Sequence, residues 1–459
     1  MRFVFDLQPC QSGSRFRGIG RSCLELSKEI AKLAIKDKNE VIILLNGSIK
    51  EGTNFIEKYL SKNLPSAKIH KFFIPLPSKF SDIKNNCRQF AAEMLREISI
   101  LTLSPDILHI SQIAADGWDD DTIVSINTVK KNYITSLLHH DLIPLANPLH
   151  YLQNKRYKNF YLKKIKYINK ADIIFSISEF SKNELKQKLN IPLYRIKTIS
   201  SGITKLKINK LSSKEIEMIN NYNLGNKFIL YVPGGFDFRK NFENCIKAYD
   251  LAQKKLNISF KIVIASKGSL DDYKKIISLL DEIGLKRCNV IFTGYVTDSI
   301  LQWLYSNCYL FIFPSLHEGF GLPILEAMHC GAPVIASNCS AIPEIVRKNE
   351  ALFDPFSVKS IKNKIEEVFL NPKFRSSLIK HSKKNISYFS WDYSAKVAYN
   401  HMKKIYNKKK SYPIITIPSY KSFLDSLKKK MKSSKITKKD FKQILDCYNE
   451  NIKKVENTI

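Results

Sequence analysis

Residues Phe313–Ile345 read FPSLHEGFGLPILEAMHCGAPVIASNCSAIPEI, and they say more about this chain than any other stretch. Tyr309–Phe313 (YLFIF) has the look of a strand, and Pro314–Ser315 turns it. Glu318 follows, then the loop Gly319-Phe320-Gly321-Leu322, with Pro323 opening a helix and Glu326 eight residues after Glu318. Proline suits the first turn of a helix, where its missing N–H would have no partner in any case. The glycines let backbone N–H groups approach a ligand, and a helix N-terminus favours negative charge. The combination predicts a corner for phosphate with carboxylates beside it for hydroxyl groups, followed by a strand at Pro333–Ser337.

The E-x7-E spacing, the GFG after its first glutamate and the following strand span about thirty contiguous residues. Together they resemble the donor-site signature of glycosyltransferase family 4. That resemblance implies the two-domain GT-B architecture and a nucleotide-activated sugar as substrate. Under it Glu326 is the ribose ligand. Glu318 contacts the transferred sugar, and the backbone of Gly319, Phe320, Gly321 and Leu322 approaches the sugar and diphosphate.

Upstream, Tyr231–Asn241 (YVPGGFDFRKN) runs from a strand through Gly234-Gly235 to Arg239-Lys240. Cleaving a sugar–diphosphate bond requires stabilising the departing charge, and Arg and Lys at a helix start do this without a metal. The GG-x-D-x-RKN string resembles the family's diphosphate loop, which makes Gly235, Arg239 and Lys240 donor-binding candidates. Val290–Val296 (VIFTGYV) ends a strand in Thr293-Gly294, and the resemblance places Gly294 near the base.

In the first half, Asp6–Arg21 reads DLQPCQSGSRFRGIGR, with Gly18 and Gly20 opening a helix. A lone G-x-G is weak and lacks the third glycine of a dinucleotide fingerprint. The longer string resembles the opening of a bacterial branch of family 4 whose members build surface polysaccharides, mannose-containing O-antigen chains among them. The resemblance turns this loop toward the donor phosphates, with Arg15, Arg17 and Arg21 as candidate phosphate contacts, at least one of them simply solvated. Ile134–Pro144 (ITSLLHHDLIP) ends a strand at His140-Asp141, where open α/β sheets hold ligands. It resembles the family's H-D-L-x-P segment, which makes His140 and Asp141 catalytic candidates, Asp141 the firmer of the two. The competing reading is a strand-end turn with Asp141 capping the next helix. Ser176, Ser178 and Ser181 lie in a string that resembles the family's S-x-S-E-x-S.

Short apolar runs alternate with amphipathic stretches in both halves: Arg2–Leu7, Val41–Asn46, Lys71–Ile74, Ile107–His109, Ile134–Leu138 and Ile173–Ser176, then a second series from Phe228 to Phe353. This predicts an α/β protein with two parallel sheets covered by helices. The expected organisation is a Rossmann-like acceptor-side domain over 1–205 and a Rossmann-like donor domain over 206–390. A terminal helix over 391–407 packs back toward the first domain, and a basic, helical, lysine-rich tail covers 408–459. The tail carries Leu424, Leu427, Met431, Phe441, Ile444, Leu445 and Tyr448 as apolar positions. It reads either as a spacer or as a basic amphipathic contact with an anionic membrane or a partner.

The chain has 459 residues and a formal net charge of +32, from 74 Lys+Arg against 42 Asp+Glu. Lysine is spread along the whole length, so solvated faces account for most of the excess. No nucleic-acid recognition motif accompanies it, and no nucleic-acid partner is expected. The nine cysteines form no C-x-x-C pair, which predicts a reducing compartment and neither zinc site nor disulfides. No secretory leader is read at the N-terminus, and no apolar run approaches the roughly 18 residues that span a bilayer. The expected location is the cytoplasm, with peripheral attachment to the inner face of the cytoplasmic membrane. Asp119-Asp120-Asp121 reads as a surface run and not as a metal-binding D-x-D, so no metal and no cofactor are expected.

The resemblance to family 4 implies retention of anomeric configuration, and with it the expectation is a retaining, metal-independent hexosyltransferase. It would move mannose, in the first instance, from a nucleoside-diphosphate sugar to a growing lipid-linked glycan of a surface polysaccharide. A UDP-hexose-dependent transferase of the same fold and a non-catalytic GT-B-shaped scaffold subunit stand as alternatives.

Overall fold

The computed structural model describes residues 1–16, 18–113, 116–203, 210–408, 417–430 and 437–456. The chain divides into two compact units. The first comprises Met1–Ile177, Ser181–Gly202 and Trp391–Ile459; the second comprises Ser178–Phe180 and Ile203–Ser390. The boundary expected at 205/206 falls outside the described residues.

The first unit holds seven strands: β1 (Arg2–Asp6), β2 (Glu40–Asn46), β3 (Lys68–Phe72), β4 (Ile107–Ile110), β5 (Ile134–His139), β6 (Ile173–Ser176) and β7 (Ile196–Thr198). They form one sheet in the order β3-β2-β1-β4-β5-β6-β7, and every pairing is parallel. Six strands follow in the second unit: β8 (Phe228–Tyr231), β9 (Lys261–Ile264), β10 (Val290–Phe292), β11 (Leu310–Phe313), β12 (Val334–Ser337) and β13 (Leu352–Phe353). Their order is β10-β9-β8-β11-β12-β13, again parallel throughout. Both are doubly wound sheets covered by helices, so their central strands are near-continuous apolar runs that bury almost every residue. In each sheet the strand order reverses once, between β1 and β4 and between β8 and β11. Loops leaving the carboxyl ends of those two neighbours diverge and leave a crevice, the usual ligand position in such sheets. β3 lies at Lys68–Phe72, starting three residues earlier than the apolar run Lys71–Ile74 suggests, because its first residues, Lys68 and Ile69, are exposed at the sheet edge and leave no apolar run to read.

The helix Trp391–Lys408 belongs to the first unit and packs on the helix Gly18–Lys36. Tyr399 Oη donates to Asp37 at 2.7 Å and accepts from Asn39 Nδ2 at 2.9 Å, and Tyr406 Oη donates to Asp106 at 2.9 Å.

The lysine-rich tail departs from the expected appendage. Its helices Tyr420–Lys430 and Lys438–Glu456 lie on the helix Asn86–Thr102 and complete the first unit's core. Phe423, Leu427 and Ile444 are fully buried, and Cys447 and Tyr448 nearly so. Polar contacts fix the register. Arg88 pairs with Asp440, and Gln443 Nε2 donates to the Leu76 carbonyl at 3.0 Å. Buried Asn451 accepts from Phe73 N–H at 2.7 Å and donates to Phe73 C=O at 2.8 Å, as a neighbouring strand would just beyond the β3 edge. Met431 of the predicted apolar set lies outside the described residues. No described helix is long and apolar enough to cross a membrane.

Leu427→Ala should therefore cost about 2–5 kcal/mol of first-unit stability, the usual range for emptying a buried leucine site. Urea denaturation followed by circular dichroism measures it. A loss under about 0.5 kcal/mol, typical of a surface position, would show that the helix does not share the core.

Candidate functional site

The second unit concentrates its charged groups at the reversal between β8 and β11. After β8 the chain turns through Gly234 and Gly235, with φ of +69° and +135°. A Cβ on either would meet open space, so the backbone conformation is what favours glycine here. Phe236 packs against Phe242, Tyr273 and Phe292 and anchors the far side of the turn. Asp237 then accepts the Arg239 N–H at 3.1 Å and starts a short helical turn over Phe238–Lys240.

Several contacts join this loop to the one leaving β11. Leu316 N–H donates to the Arg239 carbonyl at 2.7 Å, and Arg239 Nη1 donates to the His317 carbonyl at 3.0 Å. Asn241, in the left-handed region at φ +60°, donates its amide to the carbonyls of Pro314 (3.0 Å) and Pro355 (2.7 Å). Tyr231 Oη holds the Lys240 carbonyl from below at 2.7 Å.

The result is a cluster of four charges, with Lys240 and Glu318 buried and Arg239 and Asp237 partly so. Lys240 Nζ lies 2.6 Å and Arg239 Nη1 2.8 Å from the same oxygen, Oε1 of Glu318. Glu318 and Lys240 are only 9% and 7% exposed, so little water screens the group. Burial works against ionisation of Glu318, but Lys240 and Arg239 outweigh it and hold its carboxyl below the ordinary value. Asp237 Oδ1 also lies 3.7 Å from Arg239 Nε, so the two cations face two carboxylates, the second of them only partly buried.

The glycine loop follows directly. Ser340 Oγ accepts the Glu318 N–H at 3.0 Å, Gly319 and Phe320 are buried, and Phe320 stacks edge-on against Phe389. Gly321, at φ +124°, caps the helix Leu322–His329, which has proline in its first turn. The loop thus leads from the charge cluster into a helix N-terminus, whose dipole adds to the positive potential. On that helix Glu326 accepts the buried Tyr305 hydroxyl at 3.0 Å. Gly294, at φ +68°, ends β10, and Thr293 N–H bonds the Ile264 carbonyl at 3.2 Å.

Arg239, Lys240, Glu318 and the loop Gly319–Leu322 are thereby brought together by direct contacts and chain continuity. Glu326 is positioned by Tyr305, a partner that nothing in the sequence pointed to. Asn241, Ser340 and Tyr231 also went unassigned. Asn241 alone carried a signal, as the residue closing the RKN run, because asparagine tolerates the left-handed conformation that ends a tight turn.

In the first unit, His140 and Asp141 follow β5 directly. His140 is buried, neither ring nitrogen has a hydrogen-bond partner among the described residues, and burial depresses its pKa to about 4. It is a neutral imidazole at neutral pH, able to donate or accept but not to supply charge. Asp141 Oδ1 accepts the Ile143 N–H at 3.1 Å in an i to i+2 turn, but it is not the cap that the competing reading expected: the N-cap of the short helix Ile143–Ala146 is Leu142, with no side-chain cap. His139 is likewise buried and neutral. Gly18 is exposed at the start of its helix, while Gly20 is buried, and a Cβ there would sit 2.3 Å from the Ser14 carbonyl. Arg15 pairs with Glu51. Arg17 lies outside the described residues. The acidic run proves more structural than a surface run: Asp120 accepts from Gly117 and Thr122, and Asp121 from Ser78 and Lys79. Among the described residues no group of three His, Cys, Asp or Glu side chains could hold a metal ion.

Glu318→Gln would leave buried Lys240 and partly buried Arg239 facing a neutral amide. A carboxyl held below its free value contributes stability above that value and loses it as pH falls through the lowered one. The variant should lose about 3–5 kcal/mol at pH 7, and the gap to wild type should narrow below about pH 4.5. Melting curves across pH check this; a gap that stays constant down to pH 3 contradicts it.

Residues 213–385 match the family described as glycosyl transferases group 1. Over 401 residues the chain is 34% identical to the serotype-specific mannosyltransferase WbdA of Escherichia coli, an alignment covering 87% of this chain and 47% of that protein. The chain thus spans about half the length of that relative. It is 26% identical over 399 residues to O-antigen chain mannosyltransferase B of Escherichia coli, covering 85% of this chain and 97% of that one. Among solved structures, a glycosyltransferase from Rickettsia africae ESF-5 aligns over 89% of this chain and 99% of its own, with a TM-score of 0.61 at 18% identity, which speaks to the fold alone. The chain accordingly has the GT-B fold, and it is related over residues 213–385 to the glycosyl transferases of group 1 and over most of its length to bacterial mannosyltransferases.

Proposed function

We propose that the protein is a retaining, metal-independent hexosyltransferase that takes mannose from GDP-mannose and adds it to a growing lipid-linked glycan of a surface polysaccharide. The observation that carries this reading is the convergence of Lys240 and Arg239 on Glu318 beside the glycine loop and the helix N-terminus. Fixed positive charge in a nearly dry site stabilises a departing diphosphate, and two organic cations supply that charge without a metal. The printed functions of the Escherichia coli relatives support mannose and O-antigen synthesis.

In the proposed reaction the diphosphate lies against Arg239, Lys240 and the N–H groups of Gly319–Leu322, with Gly235 in the facing turn and Gly294 near the base. Glu326 receives the ribose hydroxyls and Glu318 a hydroxyl of the transferred sugar. The bond from the anomeric carbon to the diphosphate oxygen breaks, and a bond to the acceptor oxygen forms on the same face. The acceptor's proton passes to the departing phosphate oxygen. His140, neutral and buried, and Asp141 are the first unit's candidates for the sugar, and Gly18 and Gly20 its candidates for the donor phosphates.

A purified sample should melt higher with one of GDP, UDP or ADP in the absence of metal, by the equivalent of about 2.7 kcal/mol at a hundredfold excess over Kd. The shift should vanish in Arg239→Ala and Glu326→Ala, and Arg239→Ala should lower kcat by roughly 10²–10³. A shift with UDP alone would replace mannose with a UDP-hexose donor; no shift with any of the three would favour a non-catalytic scaffold.

The tail bears on where the reaction takes place. Apart from exposed Phe441, the apolar face of its described helices packs into the first unit and is not free to insert into lipid as an amphipathic helix would. Lys421, Lys428, Lys429, Lys438, Lys439 and Lys442 stay exposed, and contact with an anionic membrane would be electrostatic. The full chain should float with anionic vesicles at low salt and release as salt rises. Equal flotation with neutral vesicles would rule this attachment out.

A further inference from the structure

We infer that Asp116 is a positioning residue of the first unit, whose carboxylate clamps the Ser12–Ser14 turn and so sets the start of the helix that carries Gly18 and Gly20. The inference rests on the proposed transfer reaction, because it gives that turn a task at the donor phosphates.

The sheet topology singles out the place. In the second unit the loops after β8 and β11 carry the charge cluster. Their counterparts in the first unit are the loops after β1 and β4, which leave the same reversal of strand order. The β1 loop holds Ser12 and Ser14, and the β4 loop holds Asp116. Asp116 Oδ1 accepts from Ser12 Oγ at 3.0 Å and from Ser14 Oγ at 2.6 Å. Its Oδ2 is buried and has no hydrogen-bond partner among the described residues.

The clamped turn has little room to move. The Ser14 carbonyl lies 2.3 Å from where a Cβ on Gly20 would be, and the Gln11 carbonyl 2.1 Å from one on Gly52. Gln11 accepts the Asn46 N–H at 2.8 Å and donates to the Asn46 carbonyl at 3.0 Å and to Thr53 at 2.6 Å. Gln8 reaches the other loop, accepting the Ile123 N–H at 3.0 Å and donating to its carbonyl at 2.7 Å. Gln8 also donates to Asp6, which is paired with Arg96, whereas Asp116 is the carboxylate that joins both loops at the turn nearest the helix.

Two serine hydroxyls need only an acceptor, and an asparagine would serve without a buried charge. The surroundings make the charge costly. Burial pushes the Asp116 carboxyl up to about 6, against the hydroxyls of Ser14 and Ser12; Asp120 adds to the rise and Lys164 opposes it. The thiols of Cys10 and Cys23, which also feel the Asp116 charge, stay protonated. Lys164, from the helix Lys155–Ile168, is itself buried and donates to the Val124 carbonyl at 3.2 Å. A group whose folded pKa is raised costs stability once pH exceeds that value. A carboxylate kept at such a cost, at the reversal point of a sheet, marks function over stability. Ionised, it gives charge-assisted bonds to both serines; protonated, it holds the turn more weakly.

The test uses the full chain with Asp116→Asn and Ser14→Ala, measuring sugar transfer and melting temperature from pH 4.5 to 8.5. Wild type should lose kcat/KM on the acid side with an apparent pKa near 6. Asp116→Asn should lack that limb and show a donor KM raised roughly tenfold at pH 7.5, the difference between a charged and a neutral hydrogen bond. It should also melt higher than wild type at pH 8, with the gap closing as pH falls toward 4.5. Ser14→Ala should raise KM similarly while keeping the acid limb. A folded Asp116→Asn with the wild-type KM and pH profile overturns the inference and leaves the transfer reaction standing. A wild type that neither transfers sugar nor binds a nucleoside diphosphate overturns the reaction, and the inference with it.

Discussion

One carboxylate oxygen, Oε1 of Glu318, holds two cations in a site that water barely reaches. Desolvating three charges is expensive, and their mutual attraction repays the cost only when geometry is fixed and the remaining donors are satisfied. Much of the second unit's local design meets those two conditions. Parallel neighbours β8 and β11 end side by side, so their loops leave from adjacent points. Asn241 and the Leu316 N–H join the loops through backbone carbonyls, and Tyr231 holds the Lys240 carbonyl from beneath. With Asp237 beside Arg239 the formal charges balance, and the adjoining helix N-terminus adds positive potential. A site prepared in this way has already met the cost of assembling positive charge before an anion arrives, which is the sense in which electrostatic preorganisation aids group transfer.

The first unit solves a different problem with the same sheet order. Its loops at the β1/β4 reversal are joined by neutral groups from Gln8 and two serines, with the Asp116 carboxylate receiving both serines, while Gln11 ties the β1 loop to the end of β2. Below them, Asp6 and Arg96 form an ion pair with no exposure at all. The unit also recruits sequence from the far end of the chain. The helix Trp391–Lys408 covers the helix Gly18–Lys36, and the two lysine-rich helices cover the helix Asn86–Thr102. Their lysines face solvent because their apolar residues are spent on the core, so the basic character of the tail and its structural role occupy opposite faces.

How much of this was legible in the sequence varied with how local the determinants were. The alternation of apolar runs and amphipathic stretches was enough for two parallel α/β sheets, because buried strands and covering helices each leave a periodic mark. The Glu318–Glu326 stretch and the Arg239-Lys240 loop were legible as short strings whose residue types carry their own chemistry. β7 at Ile196–Thr198 was not, since three residues at a sheet edge leave no period to read. Nor were Tyr305, Ser340 and Asp116, whose partners lie 21, 22 and about a hundred residues away. The tail misled for a related reason. Phe423, Leu427, Ile444 and Tyr448 show helical spacing, but the surface they bury against is formed by residues more than 300 positions earlier, and spacing alone does not tell a membrane-facing stripe from a core-facing one.

The central claim is that the Arg239–Lys240–Glu318 cluster receives a diphosphate. Phosphorus-31 NMR of GDP and of UDP, each titrated with protein, tests it directly, since each phosphorus reports its own surroundings. The account predicts that one of the two nucleotides shows a shifted and broadened β-phosphate resonance, and that Lys240→Met abolishes the change. Unperturbed β-phosphates for both nucleotides, or a perturbation that survives loss of Lys240, would contradict it.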